Sequence, residues 1–176
     1  MKTIKGWWFA PKDKKLANGD GRQIRIGRTH KIKGDIVPCE RGLHLSCKPL
    51  DALHYAPGPV VYRVIGGGVV IPHGNPVDKY ACSERTYVAG GVDVSDILWE
   101  FARMCALDVI DLWDAPDIVV KYLKTGDETI RASAQAQARA SASARASAWE
   151  SAWESARASA RAKQNKRLLR MLMGTK

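Results

Sequence analysis

The chain has 176 residues, 45% of them hydrophobic and 26% charged, with 28 Lys and Arg against 18 Asp and Glu. That length suits one domain with its own core, or one domain and an appendage. No apolar run approaches the roughly 18 residues a bilayer span needs. The start, Met1-Lys2-Thr3-Ile4-Lys5-Gly6, lacks the apolar stretch of a secretory signal. The expectation is therefore a protein of the bacterial cytoplasm, with no membrane segment and with Cys39, Cys47, Cys82 and Cys105 reduced. Charge is unevenly placed: residues 1–34 carry +8, residues 35–130 carry −6 and residues 131–176 carry +8. Two basic ends around an acidic middle predict either internal attraction or an anionic partner.

The first half reads as short strands between turn signals: Ile4–Phe9, Gln23–Arg28, Ile36–Pro38, Leu43–Ser46, Val60–Ile65, Val69–Ile71 and Lys79–Val88. Gly66-Gly67-Gly68 joins two Val/Ile-rich runs, which predicts a hairpin turn. Leu50–Tyr55, just after Pro49, is a short helix wedged between strands. From Val94 the period changes, since Ile97, Leu98, Phe101, Cys105, Val109, Leu112 and Trp113 fall at helical spacing behind an Asp93 or Ser95 cap. Asp114-Ala115-Pro116 ends that helix. A second helix runs over Asp117–Leu123 with Gly126 as its C-cap, and Asp127 caps a third.

Residues 132–162 hold fourteen alanines and seven serines, in a near-repeat of four residues. Ala is the best helix former and a poor strand former, so propensity outweighs the Ala/Ser alternation and predicts a helix. A four-residue repeat drifts by about 40° per repeat on a helix, so the row Trp149, Trp153, Arg157 and Arg161 winds obliquely around it. Run without a break from Asp127 to Met173, the helix would be about 70 Å long at about 1.5 Å per residue. It has no wide apolar stripe, so the expectation is an arm held by a partner or by self-association rather than by core burial. The fold class is α+β: a small twisted antiparallel or mixed sheet with a short inserted helix, then two helices, then the long Ala/Ser-rich helix. The corresponding divisions are residues 1–93, 94–126 and 127–176.

The chemically densest stretch runs from Pro38 through Cys39, Glu40, Arg41, Gly42, Leu43, His44, Leu45 and Ser46 to Cys47. Cys39, His44, Cys47 and His54 are all ligand types for zinc, but their spacing is not a paired knuckle and strand alternation separates His44 from Cys47. No metal site is assigned, and no orienting Asn or Asp completes a Cys–His nucleophile. The glycine runs match neither a phosphate loop nor a dinucleotide fingerprint. Asp108, Asp111, Asp114 and Asp117 read as a solvated helix face. Lys12, Lys14, Lys15, Arg22, Arg25, Arg28, Lys31 and Lys33, with Trp7, Trp8 and Phe9 nearby, suit a surface that tracks phosphates and stacks bases. Adjacent Trp7 and Trp8 face opposite sides of a strand, so one is expected in the core and the other free to stack.

Lys5-Gly6-Trp7-x-Phe9, Pro38-Cys39-x-x-Gly42-Leu43-His44-x-Ser46, Pro49-Leu50-Asp51-Ala52-Leu53 and the tail motif Ala162-Lys163-Gln164-Asn165 resemble a family of small phage and prophage proteins of unassigned activity. A second resemblance lies in the order of elements. A strand ending in Gly-Leu-His-Leu-Ser, a short helix and the strand Val61-Tyr62-Arg63-Val64 are similar to the middle of ADP-ribosyltransferase-like folds. That resemblance implies an NAD cleft with His44 and Ser46 on its strand and Glu84 as the catalytic glutamate. Position 82 is Cys, so Glu84 lacks the customary Gln-x-Glu or Glu-x-Glu context.

Together these readings favour a non-catalytic accessory module without a cofactor, one that binds a host protein or nucleoprotein. Such a module would inhibit a nucleic-acid-handling defence complex such as CRISPR. The partner surface would be the basic N-terminal residues with Trp149, Trp153, Arg157 and Arg161. Two alternatives stand beside it: an NAD-dependent ADP-ribosyltransferase of host proteins, and a homo-oligomer assembled through residues 127–176.

Overall fold

A computed structural model describes residues 3–17, 20–143 and 153–174, with side chains of 142–158 left aside. The chain divides into two compact units: residues 1–95 with the last few residues, and residues 96–171. The class is α+β, as the sequence predicts, and the sheet is antiparallel throughout.

In the first unit, β1 (Ile4–Ala10), β2 (Thr29–Lys31), β3 (Leu43–Leu45), β4 (Val60–His73) and β5 (Lys79–Asp93) form one sheet in the order β1-β4-β5-β2. β3 pairs with the start of β5, Leu43 opposite Cys82 and Leu45 opposite Tyr80. Helix α1 (Pro49–His54) is inserted between β3 and β4, with Pro49 in its first turn. The core gathers Leu16, Ile24, Leu45, Val60, Val64 and Tyr87 among others, all nearly sealed from water.

Three expectations are corrected here. Gly66-Gly67-Gly68 is no hairpin turn; β4 runs straight through it, and the turn to β5 lies between His73 and Lys79. Gly66 is needed because a β-carbon there would collide with Leu45 and Cys82. Gly68, at φ +69°, opens a bulge that the Ser83 hydroxyl closes by accepting the Val69 N–H at 2.9 Å. Residues 23–28 form no strand, contributing an isolated bridge from Gln23 to Lys15 and a turn at Ile26–Gly27, and 36–38 contribute only the isolated bridge from Val37 to Arg41. Their hydrophobic pattern is real, since Ile24 and Ile36 are buried, but they are held by scattered backbone hydrogen bonds, such as Ile24 to Lys14 and Gly27 to Tyr87, and not by a continuous ladder.

The second unit begins within α2 (Ser95–Leu107), whose start is capped by Asp93 accepting the Ser95 N–H and hydroxyl. A 3-10 turn over Ile110–Leu112 follows, then α3 (Asp117–Thr125), closed by Gly126 in the left-handed region at φ +69°. Asp127 accepts the Thr129 N–H and caps the turn before α4 (Arg131–Ser143). α5 spans Trp153–Met173. Across residue 126, α3 and α4 share a core in which Val119, Tyr122 and Ala134 are buried together. The start of the Ala-rich segment does not escape core burial, because Ala134 offers a small side chain for close helix contact; beyond that segment, Leu168 of α5 is wholly buried. The path between residues 143 and 153 lies outside the described residues, as do the side chains of Trp149, Trp153 and Arg157. No described helix is long and apolar enough to cross a membrane.

Candidate functional site

The sheet unit holds a half-open cavity of about 460 Å³. Its wall is built by β1, by β3 and the turn before it, by α1 and by β5, and it includes Trp8, Cys39, His44, Tyr55, Lys79 and Arg85. Strand alternation decides who faces it. On β5, Lys79, Ala81, Arg85 and Tyr87 share one parity and are all buried. A lysine and an arginine on the inward parity of a strand are costly unless something answers their charge.

Arg85 is 2% exposed, and no carboxylate pairs with it among the described residues. Its guanidinium lies 3.8 Å from the centre of the Trp8 ring. It donates from Nη1 to the His44 carbonyl, and from Nε and Nη2 to the Tyr87 hydroxyl at 3.1 and 2.7 Å. Those two donors occupy both lone pairs of the phenol, so its proton points to His30 Nδ1, 3.3 Å away. The neutral His30 tautomer therefore carries its proton on Nε2, an atom that is buried without a partner among the described residues. Burial, and then the charges of Arg22, Arg28 and Arg85, hold the His30 pKa below its ordinary value.

Lys79, 6% exposed, likewise has no carboxylate partner among the described residues. Its ammonium sits 3.8 Å over the Tyr55 ring and donates to Cys39 Sγ at 3.2 Å. Asp78 is drawn aside, accepting the Tyr55 hydroxyl at 2.8 Å. His44 Nε2 accepts the Cys39 N–H at 3.4 Å. Burial first, then the positive charges of Lys79 and Arg85 and the nearby His73 ring, push the His44 pKa down to about 4. His44 thus stays neutral beside the two buried cations, which burial leaves poorly screened.

Of the residues predicted from sequence, His44 and Ser46 line this cavity, Ser46 through a backbone bridge to Trp7. Glu84 does not line it; on the opposite parity from Arg85, it pairs with Lys31 at 2.8 Å. Lys12 meets Asp93 at 3.6 Å, and Arg22 is clamped by both oxygens of Asp20. Lys14, Lys15, Arg25, Arg28 and Lys33 are exposed. Arg161 is exposed on α5. Of the tryptophans of β1, Trp7 is buried under Arg63, 4.2 Å away, and the half-buried Trp8 lines the cavity with Arg85 over its ring. Of the four residues weighed as zinc ligands, Cys39 and His44 meet at the cavity, whereas His54 lies against Tyr55 and Cys47 is exposed beyond β3. No group of three His, Cys, Asp or Glu is placed to hold a metal among the described residues.

Sequence reasoning missed Arg85, Lys79, Tyr87 and His73. The available signal was the parity of β5, where charged residues fall on the same alternation as Ala81 and Tyr87.

Comparison with known proteins adds a family and nothing more. No curated protein and no solved structure matches the chain. A family profile described as a domain of unknown function (DUF7666) matches residues 11–100, and the chain belongs to that family.

Proposed function

We propose that the sheet unit of this DUF7666 member is a binding module for a small ligand bearing a phosphate or carboxylate, seated in the cavity of Arg85 and Lys79. One observation carries it: two buried cations line one cavity and neither makes an ion pair among the described residues, the bordering Asp20 being held by Arg22. An anionic ligand would supply the missing countercharge where desolvation strengthens the interaction. Isothermal titration with inorganic pyrophosphate, ADP-ribose and NAD tests it. Saturable binding is expected for at least one, weakened by about 10- to 100-fold in Arg85→Gln or Lys79→Gln, the loss of one charge-assisted hydrogen bond. Absence of binding to all three, or affinity unchanged in both folded variants, overturns it.

NAD belongs in that series because His44 and Ser46 both line the cavity. With Glu84 tied to Lys31 outside it, the reading is binding without transfer. Labelled NAD incubated with bacterial extract should leave no labelled protein; a band lost in Glu84→Ala would promote the transferase instead.

A second reading, attachment of the module to a host nucleoprotein, is favoured by the exposed Lys14, Lys15, Arg25, Arg28 and Lys33, which make no ion pair among the described residues. Affinity for duplex DNA should then fall with salt at a slope of about −0.9 per neutralised phosphate. A flat salt response argues that these charges only solubilise.

A further inference from the structure

Cys39 stands where the backbone favours glycine. Pro38 and Cys39 occupy the middle of the turn that Glu40 closes by donating its N–H to the Val37 carbonyl at 3.1 Å. Proline second and a positive φ third is the type II pattern, and Cys39 has φ +72°. A side chain held in that region is strained, and strain of this kind collects at working sites. The turn is fastened from behind by Arg41, which donates to the Lys33 carbonyl and packs on Gly34.

The strained residue presents its sulfur to chemistry. His73 Nε2, from the end of β4, lies 3.4 Å from Cys39 Sγ, and the buried Lys79 ammonium donates to the same sulfur. Cys39 also lines the cavity and is exposed. Three elements, the 37–41 turn, the end of β4 and the start of β5, therefore bring an imidazole and an ammonium to one thiol on the cavity wall. Cys47 is exposed too, yet burial of its sulfur pushes its thiol pKa up.

We infer that Cys39 is a nucleophile for anionic carbon electrophiles captured by this cavity, with His73 as its proton acceptor. The inference rests on the anion-binding reading above. Lys79 and Arg85 hold the anionic group. Cys39 Sγ forms a bond to the electrophilic carbon, the thiol proton passes to His73 Nε2, and the leaving group departs with the electron pair of the bond that breaks.

Iodoacetate and iodoacetamide test this directly, since they differ in charge and deliver the same carbon to sulfur with loss of iodide. Peptide mass spectrometry after short exposure of the full chain gives the rate at each cysteine. The iodoacetate-to-iodoacetamide rate ratio should be roughly tenfold higher at Cys39 than at Cys47, the scale of electrostatic concentration in a charged cleft. Pyrophosphate should slow carboxymethylation of Cys39 and leave Cys47 unchanged. His73→Asn should lower the rate at Cys39 with both reagents and keep their ratio, whereas Lys79→Met should collapse the ratio. Titration of Cys39→Ser with pyrophosphate separates the two readings. If that variant binds pyrophosphate but wild-type Cys39 reacts no faster than Cys47, or His73→Asn changes nothing, the nucleophile is refuted and the binding module stands. If pyrophosphate neither binds nor protects and the ratios at Cys39 and Cys47 agree, both fall.

Discussion

Arg85 in the sheet unit and Arg167 in the helical unit are both guanidiniums largely withdrawn from water, and they are held in opposite ways. Arg167 is gripped by both carboxylate oxygens of Asp108, at 2.8 and 3.0 Å, with Lys163 at 3.4 Å on the same group. That clamp closes on itself, and the Arg167 contact pulls the Asp108 carboxyl below the usual carboxylate range. Arg85 has only neutral acceptors and an aromatic face. A charge neutralised inside the fold has nothing left to offer a ligand, whereas one solvated only by dipoles keeps its field directed into the cavity. A withdrawn cation is thus answered within the fold in one unit and left without an ion pair in the other, the feature on which the proposed anion site rests.

The comparison breaks first at Tyr87, the fully buried acceptor of two Arg85 donors. Tyr87→Ala should cost about 3–5 kcal/mol in urea unfolding, through loss of a packed ring and of the acceptor. Tyr87→Phe isolates the second effect, and about 1.5–3 kcal/mol is expected from removing hydrogen bonds to a buried charge. Adding Arg85→Met to Tyr87→Phe should recover part of that loss, which a double-mutant cycle measures; strict additivity would show that the two side chains are not coupled.

Acid comes next. His44 is neutral in the folded chain, with a pKa of about 4, while in the unfolded chain it titrates near 6.5. Below about 6.5 the unfolded state binds the extra proton, so stability is fully present above that pH and declines as pH falls toward 4. His30, shifted the same way, adds to the slope. Melting temperature should therefore drop between pH 7 and pH 5, above the range where carboxylates titrate, and His44→Gln should flatten the drop. A profile unchanged by that substitution would remove His44 from the account.

The smallest effect belongs to the closed clamp. Asp108→Asn should lower stability by about 1 kcal/mol or less, because the pair is partly exposed and screened. It should leave pyrophosphate binding to the sheet unit untouched, in contrast to Arg85→Gln.

Much of this architecture is written locally. The helix over Asp117 to Thr125, its Gly126 cap and the Asp127 cap are each specified by a few adjacent residues, since capping and 3.6-residue periodicity are short-range effects. β1, β3, α1 and the β5 core were legible for the same reason. The triple glycine misled because the same residues serve a turn or a bulge, and the choice depends on Leu45, Cys82 and Ser83 arriving from other strands. The Ala-rich helix misled because a buried alanine needs only a close neighbour, which α3 supplies.

The site shows the same division more sharply. His44, Ser46 and Cys39 drew notice as residue types at conspicuous spacing, but their neighbours in space come from Glu84's side of the sequence, and a single step of parity places Arg85 in the cavity and turns Glu84 away. Sequence by itself determined the α+β class, the caps and the strands β1, β3 and the core of β5, because those follow from interactions within a few residues. Only the tertiary structure decided that Cys39, His73, Lys79 and Arg85 meet, because antiparallel pairing brings together positions 34 to 46 residues apart along the chain, and no local rule carries that distance.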